Sequence, residues 1–241
     1  MRELVNLMEE GMKEKAVVSW SGGKDCALAL HDVQQEFDIV ALVTTVTEGY
    51  DRISMHGVRA ILLERQARSL KCELRKVVIS QVCSNDEYET KMRAALDEYR
   101  QGGVSSVICG DLFLEDVRRY REERLLQGLR GVFPLWKQDT AQLAQRFIAL
   151  GFQAILCCVD TTVLDESFAG RRFDQQLLDD LPPGVDPCGE NGEFHTFVFD
   201  GPNMAEPIEC GLGERVLREG RFCYCDIVPT ELRADSSLAQ A

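Results

Sequence analysis

Two short stretches hold most of the residues able to do chemistry. Ser21-Gly22-Gly23-Lys24-Asp25-Cys26 joins an apolar run to a helical pattern. Its two glycines let the backbone approach an oxyanion, and the helix start behind them offers free N–H groups and a positive dipole end. Ser21 adds a hydroxyl donor and Lys24 a full positive charge. The spacing is neither that of a Walker A loop nor the dinucleotide G-x-G-x-x-G. It predicts a turn that binds phosphate, with Ser21, Gly22, Gly23, Lys24, Asp25 and Cys26 around the anion. The second stretch, Cys188 to Phe197, puts Glu190, Glu193 and His195 on a glycine-bearing turn that enters a strand. Cys188, Gly189 and Gly192 tighten the turn while Phe194 and Phe197 anchor it, so the carboxylates would be presented rigidly. Paired carboxylates beside an imidazole suit proton transfer or a hard cation.

Single residues at strand ends extend the set. Gly110-Asp111 closes a strand at the edge where an α/β sheet binds its ligands, and Asp111 there suits Mg²⁺ or a ribose hydroxyl. His56 lies on the turn after the second strand, at the same edge. Arg118, Arg119, Arg121 and Arg124 share a segment with Glu115, Asp116, Glu122 and Glu123, the pattern of a solvated helix face laced with ion pairs. Trp136, after Pro134-Leu135, reads as a packing anchor.

The elements that position these residues follow from periodicity. Lys15–Trp20, Asp38–Val46, Cys72–Ser80, Ser105–Asp111 and Phe152–Asp160 are nearly continuous apolar runs, as strands buried on both faces of a parallel sheet would be. Between them Cys26, Ala29, Leu30 and Val33 recur with helical spacing, as do Ala60, Leu63, Ala67 and Leu70, then Tyr88, Met92, Ala95 and Leu96, and later Leu143, Phe147 and Leu150. Ser84-Asn85-Asp86 reads as a helix start, and Gly102-Gly103 and Gly151 as stops. Repeated β–α units predict an α/β fold, an open parallel sheet flanked by helices. Past residue 165 the chain turns polar and turn-rich, then alternates at His195–Phe199 and Arg215–Val228. We therefore divide it into a nucleotide-binding domain, 1–164, and a smaller mixed subdomain, 165–241, that ends in a frayed tail from Ala234. Apolar Phe197 and Phe199 would permit a homodimer.

Composition narrows the class. Against 27 basic residues stand 40 acidic ones, a net charge of −13 over 241 residues. Phosphate-backbone binding runs on clustered Lys and Arg, so a nucleic-acid partner is disfavoured. No apolar run follows the opening MRELVNLMEEGMKEK, and none approaches the ~18 residues of a membrane span, so the expectation is a cytoplasmic protein without a membrane anchor. The ten cysteines then read as reduced thiols. Cys157-Cys158 lies within an apolar run, and Cys223 and Cys225 fit alternate strand positions better than half a zinc site.

The hexapeptide at Ser21 resembles the pyrophosphate loop of the N-type ATP pyrophosphatases, which split ATP between its α and β phosphates. Cys26 stands where Ser is usual there. In their order, Gly110-Asp111, the segment Glu115–Arg124, Phe133-Pro134-Leu135-Trp136 and Cys188–Phe197 resemble the diphthine–ammonia ligases. These are amide ligases whose eukaryotic members complete diphthamide on a translation elongation factor. The likeness covers roughly residues 15–202. Two departures stand out: Asn191 replaces a glycine of the usual Glu-Gly-Gly-Glu, and Ile53–Gly57 lacks a tyrosine found in eukaryotic members. The resemblance implies an adenine nucleotide alpha hydrolase-like sheet and a ligase that uses ATP and Mg²⁺. A carboxylate, which could be carried on a protein side chain, would be activated as an acyl-adenylate with loss of pyrophosphate, then amidated by ammonium. It implies that Lys24 assists catalysis, that Glu190 and Glu193 deprotonate ammonium with His195 as auxiliary acid–base, and that Arg119 and Arg121 face the leaving pyrophosphate. Two other readings stand beside it: a tRNA- or small-molecule-modifying pyrophosphatase, and a non-catalytic ATP-binding module.

Overall fold

The computed structural model describes residues 13–53 and 56–230; the tail from Ala234 lies outside them. Two sheets make up the fold. The first is built on β1 (Glu14–Ser19), which pairs in parallel with β2 (Phe37–Thr47) on one side and β5 (Ser106–Ile108) on the other. Outside β2 lies β4 (Glu73–Ile79), and outside β5 lies β6 (Arg130–Val132), both parallel. A short β3 (Arg52–Ile53) folds back antiparallel on the end of β2. The parallel order is thus β4-β2-β1-β5-β6. The chain winds outward from β1 in one direction and then, from β5, in the other. Loops after β1 and β5 diverge at this reversal, which opens a crevice at the carboxyl ends of the two strands.

Burial explains why β1 sits centrally. Ala16, Val17 and Val18 are all inaccessible to solvent. Ala16 and Val18 face the larger core with α1 (Lys24–Val33) and α2 (Ala60–Ser69), while Val17 faces a second core with α3 (Asn85–Gln101). Ser84 caps α3 as predicted, its hydroxyl accepting from the Glu87 amide at 3.2 Å. The acidic–basic segment begins as α4 (Glu115–Tyr120) and continues as a π-helical turn, Arg121–Leu125. Such π-bulges redirect side chains and recur at functional sites.

One strand differs from expectation. β7 (Gln153–Asp160), read as part of the parallel sheet, belongs to a second, antiparallel sheet of order β8-β7-β10-β9, formed with β8 (Phe194–Asp200), β9 (Cys210–Arg218) and β10 (Phe222–Pro229). Its apolar run reports burial on both faces, which an inner strand of either sheet type needs, and says nothing about strand direction. α5 (Thr140–Ala149) leads into it, and α6 (Gln175–Asp180) lies in the polar stretch before β8. Phe197 is fully buried in the main core and adds nothing to the exposed apolar patch expected there, while the half-buried Phe199 ring has the Arg172 guanidinium over it at 5.3 Å. Cys223 and Cys225 both point inward from β10 at 2% and 3% exposure, and all ten thiols are free. Among the described residues no helix is long and apolar enough to cross a membrane.

Candidate active site

The crevice at the sheet reversal is a cleft of about 310 Å³. Its floor is the Ser21–Cys26 turn, which runs from β1 into α1. Gly22 sits at φ +78°, where a side chain is strained, and an added Cβ would meet the Gln66 side chain at 2.9 Å. Gly110, at the end of β5, presses on the start of α1. A Cβ there would stand 2.7 Å from the Asp25 carbonyl carbon and 2.8 Å from the Cys26 nitrogen. Positive φ thus explains Gly22 and close backbone approach explains Gly110, and the predicted loop and Gly110-Asp111 do meet in one cleft. The Cys26 thiol donates to the Gly23 carbonyl at 3.1 Å and lies 3.4 Å from the Ser21 hydroxyl, so it bonds within the loop.

The second sheet stitches this loop in place. The Lys24 amide donates to the Thr196 hydroxyl at 3.0 Å, and the Val198 amide to the Gly22 carbonyl at 2.9 Å. Gln66, fully buried on α2, donates to the carbonyls of Gly22 (3.0 Å) and Val198 (2.6 Å) and accepts from the Trp20 indole (2.9 Å). Sequence reasoning missed Gln66 and Thr196. A glutamine beside the inward stripe of Leu63 and Ala67 was the available signal, since buried amides require partners.

Lys24 does not project freely toward a ligand. Its side chain is 4% exposed, and its ammonium bonds both Asp25 carboxylate oxygens at 2.8 Å and the Cys188 carbonyl. It ties the loop to the Cys188–Phe194 turn and puts its charge in the cleft wall. The two glutamates of that turn part company. Glu190 lines the cleft, and its Oε1 accepts from the Leu112 amide at 2.8 Å and the Phe113 amide at 3.4 Å. Burial raises its carboxyl to about 7, with Asp25 adding repulsion, although the Leu112 amide pulls the other way. Glu193 is buried behind the turn and is absent from the cleft lining. Its Oε1 accepts from the Asp186 amide at 3.0 Å and the Asn191 side chain at 2.9 Å. Asp186, also unanticipated, accepts from the Cys188 amide at 2.9 Å and the Thr140 hydroxyl at 2.7 Å. Asn191 is not among the residues with positive φ, and its side-chain amide donates to Glu193.

His56 and His195 stack face to face, ring centroids 4.4 Å apart, and both line the cleft. Burial holds His195 down to about 4 and His56 well below the usual range, so both rings are neutral at pH 7. On the opposite wall Arg121 donates to Asp111 Oδ1 at 3.0 Å and reaches the Ser19 hydroxyl at 3.4 Å. Asp111 Oδ2 is buried with no protein partner. Arg121 lines the cleft, whereas Arg119, two positions earlier on α4, is exposed outside it. Arg118 lies over the rings of both Phe133 (4.5 Å) and Trp136 (4.7 Å), so the half-buried Trp136 ring stacks a cation on the surface beside the cleft. Tyr88 and Met92 of α3 complete the wall.

Comparison with known proteins bears on the whole chain. Residues 14–129 match the family described as diphthamide synthase N-terminal domain, and residues 139–229 the diphthamide synthase C-terminal domain. Among curated relatives, the diphthine–ammonia ligase of Schizosaccharomyces pombe is 27% identical over 86% of this chain, which spans 38% of that longer protein. The Bos taurus diphthine–ammonia ligase is 29% identical over 78% of this chain and 79% of its own length. The Homo sapiens one is 28% identical over 71% and 66%. With the loop, the carboxylate turn and both family domains present in order, the chain belongs to the diphthamide synthase family.

Proposed function

We propose that this protein is an ATP-dependent amide ligase, which joins a carboxylate to adenylate with loss of pyrophosphate and then replaces AMP with ammonia. The observation that carries the reading is the phosphate turn at the sheet reversal, faced across one cleft by Arg121, Asp111 and Glu190. The names of the curated relatives support the same reaction class and make diphthine the first carboxylate to try. In this reading residues before 165 hold the nucleotide, and the segment from 165 supplies Glu190 and His195.

The α1 N-terminus and the Ser21 hydroxyl receive phosphate oxygens, and Arg121 and the walled-in Lys24 ammonium offset the charge that builds on departing pyrophosphate. Asp111 lines the cleft, and its Oδ2, which has no partner among the described residues, is an orphaned buried oxygen that a hard cation would satisfy. No cluster of three His, Cys, Asp or Glu stands among the described residues, so a magnesium ion would take its other ligands from phosphate and water, and would supply charge neutralisation there.

The second half-reaction forms a C–N bond and breaks the acyl–phosphate C–O bond, so ammonium must lose a proton before attack and the nitrogen another after it. Glu190, whose carboxyl burial raises to about 7, can accept such a proton in its ionised form. His195, neutral, acts as a hydrogen-bond acceptor at the cleft rather than as an acid. Glu193 holds the turn. ATP/pyrophosphate exchange tests the reading: label should pass from pyrophosphate into ATP only when the carboxylate substrate is present. Release of ADP and orthophosphate instead would remove the protein from this class.

A further inference from the structure

We propose that two copies of this chain associate through β9, the outer strand of the antiparallel sheet, pairing antiparallel about a two-fold axis at Val216. This association is independent of the ligase reading. Among the described residues β10 lies on one side of β9 and no strand on the other. Every residue from Leu212 to Arg218 is exposed, Val216 at 43% and Leu217 at 52%. Such an edge is a template for another strand unless something blunts it. The opposite edge of the sheet is already covered: on β8 the Val198 amide donates to the Gly22 carbonyl, and the Val198 carbonyl accepts from Gln66. With one edge left to pair, association through this sheet closes at two copies.

Placement along the strand fixes which side chains meet. Glu214, Val216 and Arg218 share one face, on which they line a cleft beside the β2–β3 corner. Arg215 and Leu217, opposite Cys225 and Cys223 on β10, take the other face. The ladder with β10 shifts between Leu212 and Arg215. Such a bulge ends regular pairing and leaves a short straight edge around Val216.

The order of charges on that edge is self-complementary. About a two-fold axis at Val216, Glu214 faces the partner's Arg218 and Arg218 faces the partner's Glu214, with Val216 against its own copy between them. Opposite charges and β-branched residues directly across from each other are stabilising pairs. On the other face the aliphatic stem of Arg215 lies across from the partner's Leu217 and covers it. Arg218 is steadied over the Tyr224 ring at 5.6 Å, so less freedom is lost when it pairs. Charged side chains usually protect an edge strand; here they select one alignment and reject others. A slip of two residues either way sets a charge against Val216, and a parallel in-register pair sets Glu214 against Glu214.

Sedimentation equilibrium on the full chain should show a monomer–dimer equilibrium, and hydrogen exchange in 214–218 should slow as protein concentration rises. Glu214→Arg and Arg218→Glu each set like charges across the axis twice, so each should raise the dimer dissociation constant at least about tenfold. Combining both changes in one chain restores opposite charges across the axis and leaves the net charge unaltered. That double variant should regain wild-type affinity, as should an equimolar mixture of the two single variants. Recovery also shows that each altered chain folds. A chain that stays monomeric at every concentration, a dimer that either single variant leaves unchanged, slowed exchange only outside 214–218, or a double variant no tighter than the single ones overturns the proposal.

Discussion

Glu190 and Glu193 are the same residue type three positions apart, and the fold gives them opposite roles. Glu190 turns to the cleft and keeps a carboxyl near 7, while Glu193 turns inward and satisfies the Asp186 amide. Glu190→Gln keeps shape and removes the proton acceptor, so amide formation should fall about 10²–10⁴-fold while ATP/pyrophosphate exchange persists. Loss of exchange along with amide formation would contradict the assignment. In the wild type the amide-forming rate should rise with pH to a plateau above about 7, since the ionised form is the base. The inward-facing partner is probed by Glu193→Gln, which should lower the melting temperature, because the new amide nitrogen would take the place of the buried, unpartnered Oε2.

Ionisation of His195 and Glu190 sets opposing trends in stability. The folded His195, at about 4, binds fewer protons than an unfolded histidine near 6.5, so its contribution is present above 6.5 and lost as pH falls toward 4. Glu190, raised from 4.5 to about 7, retains a proton longer when folded, so stability falls as pH rises through that window. Denaturant midpoints measured from pH 4 to 7 should therefore flatten on the acid side in His195→Gln and lose their decline toward pH 7 in Glu190→Gln. Unchanged profiles would refute the buried environments assigned to both residues.

Among the elements, the turn from β1 into α1 was the most legible, because glycines, a lysine and an apolar run announce it locally. What braces the turn was not, since Gln66 and Thr196 act across 44 and 172 positions of sequence. The three-residue β6 carries no apolar run, and β7 shows a buried strand's pattern without its direction, so the sheet to which each belongs emerges only from pairing. Arg119 and Arg121, two positions apart, fall on opposite sides of their helical segment, and only the second lines the cleft. Two substitutions test the bracing. Gly110→Val drives a branched side chain into the Asp25–Cys26 backbone, and ATP binding should vanish in calorimetric titration. Gln66→Leu leaves the Trp20 indole and the Val198 carbonyl without this partner, which should cost roughly 1–3 kcal/mol per orphaned group and weaken ATP binding. Wild-type affinity in either variant would show that the loop needs no such support.

On the scale of the molecule, a parallel sheet presents the phosphate turn and an antiparallel sheet closes over it, with Lys24, Thr196, Gln66 and Val198 crossing between the two. In the proposed reaction one cleft serves two successive steps on one acyl group, with the phosphate turn at one end and Glu190 at the other. That proposal hinges on a substrate carboxylate oxygen bonding to the α-phosphorus and leaving with AMP. That transfer can be followed by supplying diphthine-bearing acceptor labelled with ¹⁸O in its carboxylate, together with ATP, Mg²⁺ and ammonium, and analysing the nucleotide by mass spectrometry. The expected product is AMP carrying one ¹⁸O for each amide formed, with pyrophosphate unlabelled. Label appearing in orthophosphate beside ADP, or AMP free of ¹⁸O, would contradict it.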